Sequence, residues 1–137
     1  MPLEKTLVIL KPSAVERGLI GEILSRLERK GLRIIELKML TFTREKAEML
    51  YEEHEGKDFY EELVEYMAGK RVVAAVLEGE DAISVVRNLV GATDPKEAAP
   101  GTIRGDFGIS LPDNLIHACD SPEKFEREYE AVFKSHS

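Results

Sequence analysis

Short unbroken apolar runs alternate along this chain with stretches whose apolar residues recur every three or four positions. That alternation constrains the fold more than any other feature. Thr6-Leu7-Val8-Ile9-Leu10 reads as a buried strand stopped by Lys11-Pro12. Ile20, Ile23, Leu24 and Leu27 then mark one face of a helix, with Gly31 at its C-terminal end. Leu32 to Phe42 reads as a long second strand. Thr43 caps a helix from Arg44 to about Glu53, with Ala47, Leu50 and Tyr51 inward, and a second helical piece runs from Tyr60 to Met67. Val72 to Leu77 is continuously apolar and rich in β-branched residues, as in a central strand or one covered on both faces. Asp81 is placed to cap a helix with Ala82, Val85, Val86 and Leu89 inward. After a long Gly/Pro-rich stretch, Leu115-Ile116-His117 forms a last short strand. Ser121 and Pro122 open a final helix with Phe125, Tyr129, Val132 and Phe133 inward. The order is β-α-β-(αα)-β-α-β-α. Its core is the split-βαβ, ferredoxin-like pattern, an α+β fold with an antiparallel sheet and helices on one face, plus extra helices. Neither a repeat nor a linker interrupts it, so residues 1–137 are expected to form a single domain.

The stretch from Gly91 to Asp113 is long for a connection inside a compact domain. It sets Thr93, Ile103, Arg104 and Phe107 among Pro95, Pro100, Gly101, Gly105 and Gly108. Apolar and cationic residues in such a frame suggest an ordered, functional loop; the alternative is a flexible surface insertion.

Several classes of function fall away on composition. Lys and Arg total 19 against 26 Asp and Glu, a net charge of −7, so nucleic acid is not expected as the main partner. A polyanionic ligand would have to be held by a few focused cations. The lone Cys119 excludes an internal disulfide and any multi-cysteine zinc site, and His54, His117 and His136 lack the i, i+4 spacing of a helical metal pair. No signal-peptide core and no apolar run of membrane-spanning length are seen, so a cytoplasmic protein without a membrane partner is expected. Neither a G-x-x-x-x-G-K-[ST] loop nor a G-x-G-x-x-G turn is present. Asp106-Phe107-Gly108 matches the protein-kinase metal motif only by letters, since its companion motifs are missing.

His117 is the residue most open to chemistry. Beside an apolar run it reads first as structural, but Glu128 lies on the final helix between Phe125 and Val132, at the border of the buried stripe. A carboxylate against a histidine fixes its tautomer and frees the other nitrogen as a nucleophile. Glu128 reads equally as a solvated flank residue. Cys119, two residues from His117, permits a Cys–His hydrolase reading, although nothing marks an oxyanion hole. Lys11, Arg87 and Arg104 each read singly as surface charges, and Tyr51 and Phe59 as core aromatics.

Taken as a set, these residues carry a resemblance. Asn114-Leu115-Ile116-His117-Ala118-Cys119-Asp120 resembles the active-site signature of nucleoside diphosphate kinases, N-x-x-H-[GA]-S-D. Further blocks match in order: Thr6 to Pro12, Arg17 to Glu22, Val76 to Gly79, Gly91 to Thr93, and Pro100 to Phe107. The resemblance implies transfer of the γ-phosphate of a nucleoside triphosphate, typically ATP, to a nucleoside diphosphate. It makes His117 the phosphate acceptor in a ping-pong reaction and Glu128 its orienting carboxylate. It assigns Lys11, Arg87, Thr93 and Arg104 to the phosphates and sugar, Asn114 to the ribose side, Phe59 to base stacking, Tyr51 to the neighbourhood of the phosphohistidine, and the long loop to the nucleotide and to subunit contacts. Base and sugar selectivity would be low, because every base has a face to stack. Mg²⁺ would be carried mainly on the phosphates, with no dedicated side-chain metal site. A homo-oligomer is implied, a hexamer in preference to a tetramer; the tail beyond Phe133 is short.

Two positions depart from the family's pattern. Cys119 stands where serine helps hold the orienting glutamate, and a thiol is a weaker donor. Ser13 replaces the aspartate of K-P-D-A, where it is expected to serve as a helix N-cap. Cys119 leaves open a weakly active or inactive member that binds nucleotides or partners. A ligand-sensing module without chemistry is a further alternative, though it gives Glu128 no role.

Overall fold

A computed structural model describes residues 3–111 and 113–134. His136 and most of the short tail lie outside the described residues. Four strands form one antiparallel sheet: β1 (Leu3–Leu10), β2 (Arg33–Phe42), β3 (Lys70–Glu80) and β4 (Ile116–Ala118), in the order β2-β3-β1-β4. The apolar centres of β1 and β3 pair residue for residue, Leu7 opposite Val76 and Leu10 opposite Val73.

The strands alternate between two cores, as the period of two requires. Val8, Leu10, Val73, Ala75 and Leu77 face one side, where they meet Ile23 and Leu27 of α2 (Ile20–Arg29) and Ala82, Val86 and Val90 of α5 (Ala82–Val90). These are the two crossover helices of the ferredoxin-like core. Leu7, Ile9, Val72 and Ala74 face the other side. There they meet Ala47 and Leu50 of α3 (Arg44–Leu50), Val64 and Met67 of α4 (Tyr60–Met67), and Ala131 and Val132 beyond α7 (Pro122–Tyr129). The extra helices therefore cover the second face, and the continuously apolar β3 is both central and covered on both sides.

The helix starts differ in part from the sequence reading. Thr43 and Ser121 accept backbone N–H groups of Lys46 and Lys124 as expected. The first of these helices ends at Leu50 and passes into a tight turn over Glu52–His54. Asp81 occupies the N-cap of α5 but in a left-handed conformation (φ 52) without a side-chain cap bond. Glu4 of β1 reaches over instead, its Oε1 accepting the Ile83 N–H at 2.9 Å. Ser13 is not an N-cap either. Lys11 holds that position and Pro12 the first turn of a short helix, α1 (Pro12–Glu16), because proline's fixed φ and missing N–H suit it there.

The long loop is ordered by local structure of its own. It contains a short helix, α6 (Ile103–Phe107), capped by Thr102 Oγ1 on the Gly105 N–H. Ile103 is fully buried in the core beside α5. A side chain at Gly105 would collide with the Ala99 carbonyl, so only glycine lets this turn close.

Candidate active site

β4 pairs His117 with Ile9 and so turns its imidazole toward the face covered by α3 and α7. There Nε2 lies 2.9 Å from Oε1 of Glu128, the one buried residue of α7, whose side chain is only 3% exposed. A carboxylate accepts from an N–H, so Nε2 carries the hydrogen and Nδ1 is left with its lone pair. The sequence left Glu128 open between flank and orienter; its burial against His117 sets the solvated-flank reading aside.

A cavity of about 470 Å³ opens in front of this pair. Its wall contains every candidate residue: Lys11, Tyr51, Phe59, Arg87, Thr93, Arg104, Asn114, His117 and Glu128. The surface-charge reading fails for Lys11 and Arg104, each only 4% exposed, and holds for the exposed Arg87. Lys11 ends β1, where its Nζ donates to Asn114 Oδ1 at 2.7 Å; Asn114 Nδ2 in turn donates to the Thr93 carbonyl. Arg104 donates to the carbonyls of Gly91 and Ile116, while its Nε is buried without a partner among the described residues. Arg87 Nη1 reaches the Ala118 carbonyl at 3.4 Å.

Gathering cations out of water has a cost that appears in their acidity. Burial, with Arg104 nearby, lowers the Lys11 pKa to about 7, against a partial rise from Asp113. Burial and then Arg87 lower Arg104 to about 10. A bound anion would relieve that cost.

The junction leading into β4 is strained in support of this arrangement. Leu115 adopts φ +74, unusual for a leucine, while the Lys11 N–H bonds its carbonyl at 2.8 Å.

Aromatic rings run outward from the imidazole. Tyr51 meets His117 edge-on at 6.4 Å, and His54 lies 6.5 Å from Tyr51 and 5.2 Å from Phe59. Tyr51 is both core and wall, its hydroxyl buried without a partner among the described residues and its pKa raised, chiefly by burial. Phe59 is not core: it is 45% exposed, with the Lys57 ammonium over its ring. His54 was missed by sequence reasoning, though it follows Tyr51 by three residues. Asp120 and Lys124 also line the wall, joined at 3.2 Å, and Lys124 pairs with Glu53 at 2.8 Å. Cys119 falls just past β4, outside the cavity lining; its thiol donates to the Ser121 carbonyl, and burial pushes its pKa up to about 11. Bonded to that carbonyl and outside the cavity that His117 lines, the thiol gives the Cys–His hydrolase reading no support.

The family model described as nucleoside diphosphate kinase matches residues 4–137. The chain belongs to the nucleoside diphosphate kinase family. It is 55% identical over 134 residues to the nucleoside diphosphate kinase of Sulfurisphaera tokodaii, covering 98% of this chain and 91% of that one. Among solved structures it resembles the apo nucleoside diphosphate kinase of Encephalitozoon cuniculi, with TM-score 0.93 and 39% identity over 96% of this chain and 90% of that one. The enzyme from Halobacterium salinarum, solved in complex with CDP, aligns with TM-score 0.91 and 47% identity, covering 96% and 88% of the two chains. The ferredoxin-like α+β architecture is that of the family. The protein is a phosphotransferase, a nucleoside diphosphate kinase, and the reading as a member without chemistry is not favoured.

Proposed function

We propose that the γ-phosphate passes from a nucleoside triphosphate to a nucleoside diphosphate through a phosphohistidine at Nδ1 of His117. The observation that carries this reading is the Nε2–H bond to Glu128, which leaves Nδ1 as the free nitrogen of a histidine whose cavity wall carries Lys11, Arg87 and Arg104. The Nδ1 lone pair attacks the γ-phosphorus, the bond to the β–γ bridging oxygen breaks, and the nucleoside diphosphate leaves with that electron pair. The Glu128 carboxylate stabilises the imidazolium character that develops on Nε2. Lys11, Arg87 and Arg104 surround the oxygens on which charge is redistributed. Asn114 points the Lys11 ammonium, and the Thr93 backbone points Asn114. The Tyr51 hydroxyl, buried beside His117, has donor capacity for the transferred group. A second diphosphate then enters and the steps reverse, which is ping-pong exchange.

Phe59 offers an exposed face for base stacking, which supports broad base and sugar tolerance. The H. salinarum relative with CDP supports nucleotides as the ligands. Mg²⁺ fits as a passenger on the phosphates. Among the described residues no three carboxylate, histidine or cysteine side chains gather to hold a metal, and Glu128 is committed to His117. When bound, such a cation offsets charge on the phosphate oxygens. Residues 1–137 acting as one domain, a homo-oligomer with six copies favoured over four, and a cytoplasmic location complete the proposal. Family membership supports the assembly, and sedimentation tests it. No helix among the described residues is long and apolar enough to cross a membrane.

The test is chemical. Incubation with ATP labelled on its γ-phosphate leaves acid-labile, alkali-stable label on the wild-type chain and none on His117→Ala. Label of that kind persisting on His117→Ala would sink the assignment, as would its absence from the wild type.

A further inference from the structure

Next to Lys11, a group of residues closes into a ring of contacts that the phosphoryl-transfer scheme does not use. Tyr66 projects from α4 and places its hydroxyl between two partners. It accepts the Ser13 N–H at 3.2 Å and lies 3.3 Å from Oδ1 of Asp113, to which it donates. Asp113 directly precedes Asn114, whose Oδ1 accepts from Lys11 Nζ; Lys11 and Ser13 are separated only by Pro12. The circuit therefore runs Lys11–Pro12–Ser13, Tyr66, Asp113–Asn114, and back to Lys11. It ties the end of β1, helix α4 and the last residues of the long loop into one unit. Asp113 also holds the loop from within, its carbonyl accepting the Ile109 N–H at 3.2 Å.

We propose that Tyr66 and Asp113 are positioning residues that hold the Lys11 ammonium in place, and in its charged form, for the phosphates of the bound nucleotide. The inference rests on the phosphate-binding role of Lys11 proposed above. Position comes from the circuit: Asp113 cannot shift without moving the Asn114 amide that aims Lys11. Charge comes from the neighbours. Facing Lys11, Arg104 of α6 opposes its protonation and Asp113 favours it, while Arg87 of α5, His117 of β4 and Glu128 of α7 line the same cavity. Asp113 is thus a carboxylate that partly offsets burial and Arg104 at Lys11. Tyr66 suits the task of holding it, because burial and then Asp113 push its pKa up to about 12, so it remains an O–H donor.

The experiment compares the pH profile of kcat/KM for ATP in wild type, Asp113→Asn, Tyr66→Phe and Lys11→Ala. Asparagine keeps an acceptor for Tyr66 and removes the charge; phenylalanine keeps the ring and removes the hydroxyl. Asp113→Asn should move the alkaline limb to lower pH by roughly half a unit or more, the direction expected when an opposite charge is withdrawn. Tyr66→Phe should raise KM for ATP several-fold, and Asp113→Glu should restore most of the wild-type limb. A merely structural role would lower melting temperature and leave the limb in place. An active, folded Asp113→Asn whose limb coincides with wild type overturns the proposal. Should Asp113→Asn fail to fold, Tyr66→Phe decides: wild-type KM and profile overturn it equally. Wild-type kcat/KM in Lys11→Ala would instead remove the phosphate-binding role of Lys11, a different failure with a different readout.

Discussion

At the His117 end of the cavity Lys11, Arg104, Asn114 and Glu128 are buried and already bonded to protein, whereas at the Phe59 end the ring is open and held by ring contacts. Lys11, Arg104, Asn114 and Glu128 are each less than 5% exposed, and carbonyls, an amide or the imidazole partner them all. Phe59 is 45% exposed, and its neighbours are His54 and Lys57 on the same turn. On the proposed mechanism, that difference would let one pocket be strict about chemistry and permissive about substrate. Charge redistribution needs preorganised groups that do not reorganise during reaction. Stacking needs only a π-face, and every base has one.

The largest effect should come from breaking the buried end. In Glu128→Gln the amide either donates to Nε2, forcing the hydrogen onto Nδ1, or accepts without offsetting the developing positive charge. Either outcome is expected to lower kcat by about 10² to 10⁴-fold with the fold intact. Rapid-quench measurement of phosphoenzyme formation checks it, and near wild-type rates would show that burial of Glu128 serves the core alone.

A smaller effect is a proton. Lys11 has a pKa of about 7 in the free protein, against 10.5 for an ordinary lysine. A bound polyphosphate raises it again, so binding takes up protons between about pH 7 and the bound pKa. Affinity accordingly falls as pH rises through that window, and at pH 8 the uptake should approach roughly one proton per site. The unfolded chain also binds more protons in the same window, so stability of the nucleotide-free protein rises with pH there, and bound nucleotide cancels that slope. Calorimetry in buffers of different ionisation enthalpy measures the uptake directly; buffer-independent heats would mean that Lys11 does not change protonation on binding.

The open end should respond differently. Phe59→Ala removes the stacking face and is expected to raise KM roughly 5- to 150-fold, by similar factors for all bases and with kcat less affected. A loss confined to purines would break the comparison, because it would make Phe59 a selector.

How much of this was legible before the structure follows the same division. β1 and β3 were readable because burial on both faces leaves continuous apolar runs, and all nine candidate residues line one cavity. Singly, Lys11 and Arg104 were opaque, since a buried cation and a surface cation are the same letter; the family's motif set them apart. Cap chemistry was the least legible. Ser13 gave way to Pro12 at the first helical turn, and Asp81 gave way to Glu4, a carboxylate 79 residues from the N–H it accepts. Local pattern cannot see a partner supplied by another strand. His54 was missed for a related reason: it belongs to no periodic stripe, and only the turn after α3 brings its ring between Tyr51 and Phe59.

The smallest effect is expected on the rim, where Lys124 bridges Glu53 and Asp120. Hydrogen bonding to Lys124 holds the Glu53 carboxyl below its ordinary pKa, so the pair contributes above the usual carboxylate range and is lost as pH falls through it. Both side chains are about a third exposed, and water screens most of that attraction. Glu53→Gln should therefore change stability by less than about 1 kcal/mol and KM by less than about fivefold, and either change should fade as salt is raised. Titrating KM against ionic strength separates this from the buried end, where salt should leave the Glu128→Gln defect in place. A salt-insensitive, large effect of Glu53→Gln would mean that the rim is as preorganised as the interior, and the contrast between the two ends would no longer hold.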